Sequence, residues 1–513
     1  MSRKIGVVLS YVLMIFEVLS TLLLTPFIIR TLGQAEYGVY KLVAAINAYL
    51  LLLDMGVGNA VIRYIAKYRV SGEVEKERQF LAVATIFYGA VAVVALILGG
   101  VLIAVFPTAF ANGLNTGEIL LGQKLLAITM LNSAVTLGTA TYNNVLIAYE
   151  RFAVSRITSI IQIIVRMILT YAILVAGWGS IGIVTINLIM TVLDRAFFVW
   201  YVLGSIKLRP QFKNIQFAFV KEIVTYSSFI LLQMIATQVN SSVDQILIGS
   251  LVKASATVLA IYGVGTQIVQ YFQSIGTAFT SVLMPGVVKL VERKASPDEL
   301  TEEMIRIGRI VFMVLVLIWC GFVICGKEFI VLWAGKENVA AYTVTMILMP
   351  AYIFTLTESV GTQILWAMNE HKEQSILKIA VVLLNIVLTA FLVKWNPLIG
   401  ATIGTFISLM IGDVVVMNLI FKKKLKIKLA YYYIGIFKGI IPCIGISFAV
   451  GAFVKCFLPT GWEWLFLKLA IIVGVYGISM IKFGMSNYER KLTISIFEKI
   501  KLFGGKNNVS FRK

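Results

Sequence analysis

The stretch "SIIQIIVRMILTYAILVAG", residues 159–177, carries a single arginine, Arg166, inside an otherwise apolar run. Arginine at the centre of a bilayer costs several kcal/mol, so some other group must offset it. Two chemistries do so: an ion pair with a carboxylate, or an anionic ligand drawn to the guanidinium in a wet cavity. Asp194 is the carboxylate at a matching depth. The turn "GWGS" puts it only about 4–5 Å deeper than Arg166, at about 1.5 Å of rise per residue. Its neighbour Arg195 either faces the lumen or reaches toward the headgroups.

Other polar groups recur inside apolar runs. Glu17 sits midway along "MIFEVLS", where a carboxyl is either neutral or paired. It reads as a protonatable coupling site or as the partner of a cavity cation. Asp54 and Asn59 flank "MGVG", whose Gly56 and Gly58 permit close helix approach or a bend. Arg63 and Lys67 follow one helical turn apart; they suffice as topology residues and are also placed to meet an anion. The polar island "VNSSVDQILIG" holds Asn240, Asp244 and Gln245. It is either a helix–helix hydrogen-bond seam or a cavity wall, and five polar side chains in so short a stretch favour the wall. Gln267, Gln270 and Gln273 follow with Ser274, and Gln270 and Ser274 share a face at i, i+4 spacing. Glu358 in "LTESVGTQILW" is a further membrane carboxyl, with Gln363 beyond it. Asp413 in "MIGDVVV" and Lys438 in "IFKGI" read as buried charges that pair or line an apolar groove.

Several chemistries are disfavoured. Four cysteines (Cys320, Cys325, Cys443, Cys456) lie in or beside apolar runs without a CxxC, the pattern of buried free thiols. The one histidine, His371, argues against His-based metal sites and Ser-His catalysis. No GxxxxGK[ST] stretch supplies a Walker-type ATP site. The net charge of +20 is scattered over connections tied to apolar runs, which fits topology signals and anionic headgroups rather than nucleic acid.

The elements that must position these groups are membrane spans. The chain has 513 residues, 59% hydrophobic and 14% charged, against about 45–50% and about 25% in soluble domains. The excess falls into runs long enough to cross a hydrocarbon layer about 30 Å thick. Fourteen spans are expected, near 5–30, 38–62, 80–106, 120–149, 154–176, 180–205, 222–249, 256–286, 305–334, 341–368, 374–394, 397–421, 431–457 and 462–485. They are helices, because a single apolar run must satisfy its own backbone in lipid and strand-type alternation is absent. The first run continues to Ile29 without a small-residue cleavage site, so it reads as a retained span rather than a signal peptide. Lysine and arginine concentrate on alternate connections, as in "RYIAKYRVSGEVEKERQ" and "KKKLKIK", while "PTAFANGLNTGE" and "GWGS" have none. Both termini are therefore expected in the cytoplasm. A weak internal repeat appears in "YGV" at Tyr37–Val39 and Tyr262–Val264, each opening a helix after a short link.

The order "RTLGQAEYGVYKL", then "LLDMGVGNAVIRYIAKY", then "VDQILIGSL" resembles bacterial polysaccharide-transporter flippases of lipid-linked oligosaccharides, of the O-antigen and capsule repeat-unit type. These share a superfamily with multidrug-extrusion and lipid II flippases. The resemblance implies an all-α polytopic fold: two pseudo-symmetric six-helix lobes in a V around a central cavity, plus two C-terminal helices. On that pattern the chain divides into an N-terminal lobe 1–206, a cytoplasmic linker 207–221, a C-terminal lobe 222–421, spans 13 and 14 at 422–485, and a basic tail 486–513. The cargo it implies is an isoprenoid-diphosphate-linked oligosaccharide, moved to the outer leaflet of the bacterial cytoplasmic membrane. Membrane lipids and other polysaccharide-assembly proteins are the further partners.

A wet path with cations suits that cargo. Arg30, Arg63 and Arg166 are the candidates for the diphosphate, with Asn59, Asn240, Gln245, Gln267 and Gln270 for the sugars. Arg30 and Glu36 match by position a basic and an acidic residue of the lipid II flippase branch. Glu17, Glu36, Asp54, Asp244 and Glu358 are the candidates for ion coupling or conformational change. No cofactor is expected beyond a proton or sodium gradient. Drug/cation antiport on the same fold and lipid II-type transport are the alternatives. The lack of a sizeable outward loop disfavours a membrane glycan polymerase or ligase.

Overall fold

The computed structural model describes residues 3–213, 242–368 and 372–491, with positions 219, 234, 238 and 370 between them. Among these residues the chain forms helices and turns without a strand, and 11 helices are long and apolar enough to cross a membrane. The first of them, Val12–Ser71, takes in both of the first two expected spans. The described chain forms two compact units. One comprises Met1–Gly265 with Lys378–Ser408, the other Thr266–Leu377 with Leu409–Lys513.

The run Arg3–Leu50 is two helices joined at a kink, which falls at the expected link between those two spans. It turns at Gly33, whose φ of 73° and ψ of 175° are open to glycine. The second span is then interrupted at depth. A 3-10 turn, Leu51–Asp54, leads into Met55 and Gly56, both left-handed, before helix Val57–Ser71 begins. The break keeps its backbone bonded through Met55 N to Leu52 O (3.0 Å) and Asn59 N to Gly56 O (3.1 Å). Tyr88 donates to Asp54 Oδ1 at 2.7 Å, anchoring the break to helix Val74–Ala109. The bend thus belongs to Gly56, while Gly58 is a close-approach site beside Asn144.

Several helices outrun their apolar cores. Helix Pro297–Ala334 starts well before the expected 305 because Ser296 and Glu299 form a capping box. Hydropathy marks the membrane part of a helix, and the cap marks its end. In the same unit Arg309 gathers helix ends. It donates from Nε to Glu489 Oε1 (2.7 Å), and from its amino groups to the carbonyls of Gly435 (2.6 Å), Lys438 (2.8 Å) and Gly484 (2.8 Å). Lys468 is buried against Glu328 Oε2 at 2.7 Å and the Pro459 carbonyl at 2.8 Å. Lys438, expected buried, is exposed where helix Leu429–Phe437 meets helix Ile440–Phe457 and makes no ion pair with Asp413. Cys456 is exposed too, whereas Cys320, Cys325 and Cys443 are buried free thiols.

The two "YGV" segments meet within the first unit. A Cβ on Gly38 would lie 1.8 Å from the Ala256 carbonyl oxygen, and one on Gly263 would lie 2.9 Å from Lys41 Cγ. Both glycines therefore serve one helix crossing. Gly38→Ala is expected to lower stability by about 1–3 kcal/mol through overpacking. Gly89→Ala, with open space around its Cβ, should be near neutral. Thermal unfolding of the two variants in detergent micelles compares them directly.

Candidate functional site

Arg166 lies on helix Phe152–Val175, which docks on the first helix through stacking of Tyr171 on Phe27, centroids 4.7 Å apart. The apolar face of this helix carries the packing, and Arg166 is half-buried along it. Among the described residues it makes no ion pair or hydrogen bond, and its Nε is buried without a partner. Asp194, Tyr40 and Glu17 lie within Coulombic reach of its charge. Asp194, on helix Gly179–Trp200, leaves Oδ1 unpartnered in the same way, and Arg195 leaves Nε. The matched depth of Arg166 and Asp194 does not make a contact. Five ionisable groups from three helical elements thus lie near one half-buried region of the first unit, and among the described residues neither guanidinium is paired. Such a group is a ready donor for phosphate oxygens.

The other candidate cations differ. Arg30 and Arg63 are exposed on Arg3–Leu50 and Val57–Ser71, and Arg63 leans on the Tyr64 ring at 6.0 Å. Asn59 is exposed just after the break. Glu17 is exposed on the first helix. Glu36 accepts from Ser180 N and Ser180 Oγ, both at 2.6 Å, and so holds the start of helix Gly179–Trp200. That is a capping role that the acidic position alone did not suggest.

Asp244 is 3% exposed and sits in an oxygen cluster of the first unit. It accepts from Tyr262 Oη at 2.5 Å, from Thr389 Oγ1 at 3.0 Å and from Thr405 Oγ1. Thr389 Oγ1 also faces Asn385 Oδ1 at 2.9 Å, and Thr405 Oγ1 faces the same amide oxygen at 3.4 Å. Each threonine hydroxyl has one proton for two acceptors, so the cluster is rich in oxygen and short of donors. Hard oxygen donors around a single carboxylate suit a proton or a monovalent cation. Asn385, Thr389, Thr405 and Tyr262 were not singled out from the sequence. The i, i+4 pair in "NIVLT" was the available signal. Gln245 is half-buried next in the chain, and Asn240 lies outside the described residues.

In the second unit Gln267 Nε2 donates to Gln270 Oε1 at 3.3 Å, and Ser274 donates to the Gln270 carbonyl at 2.9 Å. Glu358 is 2% exposed and is met by Tyr433 and Asn418. An apolar groove of about 370 Å³ opens between helices Ser255–Glu292, Pro297–Ala334 and Trp462–Ser479, lined by Ile268, Phe272, Leu317, Phe322, Phe329 and Leu469. Among the described residues no three His, Cys, Asp or Glu side chains converge as a metal centre would require.

The chain is a multi-pass helical membrane protein with the fold of flippases and multidrug transporters. The lipid II flippase MurJ, in an inward closed conformation, matches with a TM-score of 0.72 at 15% identity, over 93% of this chain and 98% of that one. An inward-facing MATE-family multidrug resistance transporter of the MOP superfamily matches with 0.58 at 15% identity, over 79% of this chain and 98% of that one. A MOP superfamily transporter from Pyrococcus furiosus Vc1, described by the reverse polarity of its binding pocket, matches with 0.52 at 14% identity, over 82% and 94%. No curated protein matches the sequence. Residues 5–291 match the family model of polysaccharide biosynthesis proteins, and the chain belongs to that family.

Double-mutant cycles separate satisfied from unsatisfied charges. Arg166→Met with Asp194→Leu is expected to show a coupling below about 1 kcal/mol in thermal stability, because no contact is lost. Arg309→Met with Glu489→Leu should show about 3 kcal/mol or more, since either single change strands a buried charge.

Proposed function

We propose that this protein flips isoprenoid-diphosphate-linked oligosaccharide repeat units from the cytoplasmic to the outer leaflet, by alternating access, for cell-surface polysaccharide biosynthesis. The observation that carries this reading is Arg166, a guanidinium inside a span that has no hydrogen-bond or ion-pair partner among the described residues. A diphosphate supplies the anion that Asp194 does not. Arg195 adds a second cation beside it, and exposed Arg63 and Arg30 extend the basic path. No covalent step is needed, and the protein acts as a transporter rather than an enzyme. Membership in a polysaccharide biosynthesis family favours an oligosaccharide over the lipid II-type or drug cargo of structurally similar proteins.

Coupling is assigned to Asp244. Its oxygen cluster would hold a proton or sodium ion in one state and release it in another. Reconstitution in vesicles with a fluorescent lipid-linked oligosaccharide tests the whole reading. Flipping is expected in the wild type and lost at least about tenfold in Arg166→Gln, the scale of one charge-assisted hydrogen bond. Arg166→Lys should recover part of it if a point charge suffices. Thr405→Val should weaken any sodium or pH dependence without abolishing binding. Equal rates in wild type and Arg166→Gln would remove the cationic path. Flipping of a lipid II analogue alone would move the cargo to the alternative.

We further place the protein in the bacterial cytoplasmic membrane with both termini inside. In a Cys456→Ser background, cysteines at Asn112 and Trp178, both exposed, should react with an impermeant thiol reagent from outside. Cysteines at Ser71 and Lys422, also exposed, should react only after permeabilisation. Outside labelling at Lys422 would reverse the orientation.

A further inference from the structure

Glu358 interrupts the span Ala341–Ala367, at the junction of helices Ala341–Thr357 and Ser359–Ala367. Its Oε1 accepts from Tyr433 Oη at 2.5 Å and from Asn418 Nδ2 at 3.0 Å. Among the described residues its Oε2 is buried with no hydrogen-bond partner, and so is Asn418 Oδ1. The titratable groups facing the carboxyl are Asp413, from the π-turn Met410–Val416, and Tyr432 and Tyr433, from Leu429–Phe437. On the adjoining helix Pro297–Ala334, Arg309 is engaged by Glu489 and helix-end carbonyls. Among the described residues no cation pairs with Glu358.

A buried carboxylate with an unmet oxygen and an acid for a neighbour is strongly disfavoured unless something neutralises it. A metal cation takes about six oxygen ligands or more when hard, as calcium does. Among the described residues this cluster offers two unpartnered oxygens, Glu358 Oε2 and Asn418 Oδ1, too few for such a shell. A proton needs one.

We propose that Glu358 is a proton-binding site of the second unit, distinct from Asp244, with the proton carried on Oε2. Loading is uptake of one proton by the carboxylate, which leaves a neutral acid. Release returns the proton to water and leaves a charge that Tyr433 and Asn418 stabilise on Oε1. The ionised form also needs donors at Oε2, which the present packing lacks. The helix junction at Glu358 lets the segment turn to find them, so protonation and backbone position are linked there. A role for this site in driving transport rests on the flippase reading above; the proton site itself does not.

The test uses the full chain in lipid nanodiscs and dicyclohexylcarbodiimide, which modifies neutral carboxylic acids in apolar surroundings; peptide mass locates the adduct. The expected result is an adduct on Glu358 that declines as pH rises and is unchanged by sodium at fixed pH. E358Q should lose it. Tyr433→Phe, which removes a donor to the charged form, should increase the labelled fraction at a given pH. Three outcomes would overturn the proposal: no adduct at any pH, protection by sodium at constant pH, or an unmoved profile in Tyr433→Phe. Because the readout needs no cargo, the site stands or falls separately from the flipping assay.

Discussion

A charged side chain that cannot reach water must be satisfied by other protein groups, and that constraint sorts the ionisable residues of this chain. Arg309 spends its donors on Glu489 and on carbonyls at the ends of two helices, and so fixes where the C-terminal spans stop. Lys468 does the same through Glu328 and Pro459, and Glu36 through the start of helix Gly179–Trp200. Such contacts hold helix ends in place. Among the described residues, Arg166, Arg195 and Glu358 each retain a buried polar atom without a partner. Satisfied charges hold the scaffold; unsatisfied ones are the candidates for cargo and ions in the proposed reading.

Backbone groups obey the same rule, and the irregular stretches coincide with polar clusters. The break at Leu51–Gly56 is held by Asp54 and Tyr88. The junction at Glu358 faces the π-turn Met410–Val416, and Asn418 just beyond that turn donates to both Glu358 and the Val414 carbonyl. Non-helical backbone is tolerated at membrane depth only where protein or a wet cavity takes over its hydrogen bonds. π-Turns likewise tend to mark functional positions. Each cluster therefore does two jobs, closing a local gap in the ladder and holding a carboxyl in place.

The spans themselves were legible as apolar runs, because length and hydropathy fix what can cross a bilayer. Helix ends were less so: the cap at Ser296 depends on local backbone chemistry outside the apolar core, whereas the kink at Gly33 falls where the first two spans were expected to part. Arg166 and Asp194 show the limit most clearly. Counting residues from a turn gives the depth of each, but not its direction around the helix axis, and contact requires both. Asp244 and Glu358 stood out as carboxyls in apolar runs, yet their partners did not. Thr389, Thr405, Asn418 and Tyr433 are ordinary residues on spans far along the chain, and only the fold brings them in.

The fold cannot by itself select a cargo, since proteins with this architecture include a lipid II flippase and multidrug transporters at comparable identity. What differs is the sign of the charge left unsatisfied. A cavity that presents carboxylates draws cations, and one that presents guanidinium groups draws phosphate. In the first unit the balance around Arg166 includes Arg195 against Asp194 and Glu17, so local charge is close to even. Selectivity then depends on geometry rather than net charge. The carboxylates sit within Coulombic reach yet out of contact, so they moderate the field without filling the guanidinium donors. An anion that reaches Arg166 can take those donors, whereas a cation that reaches Asp194 must do so beside two arginines. In the proposed reading, that asymmetry, more than the overall basicity of the chain, is what favours a diphosphate.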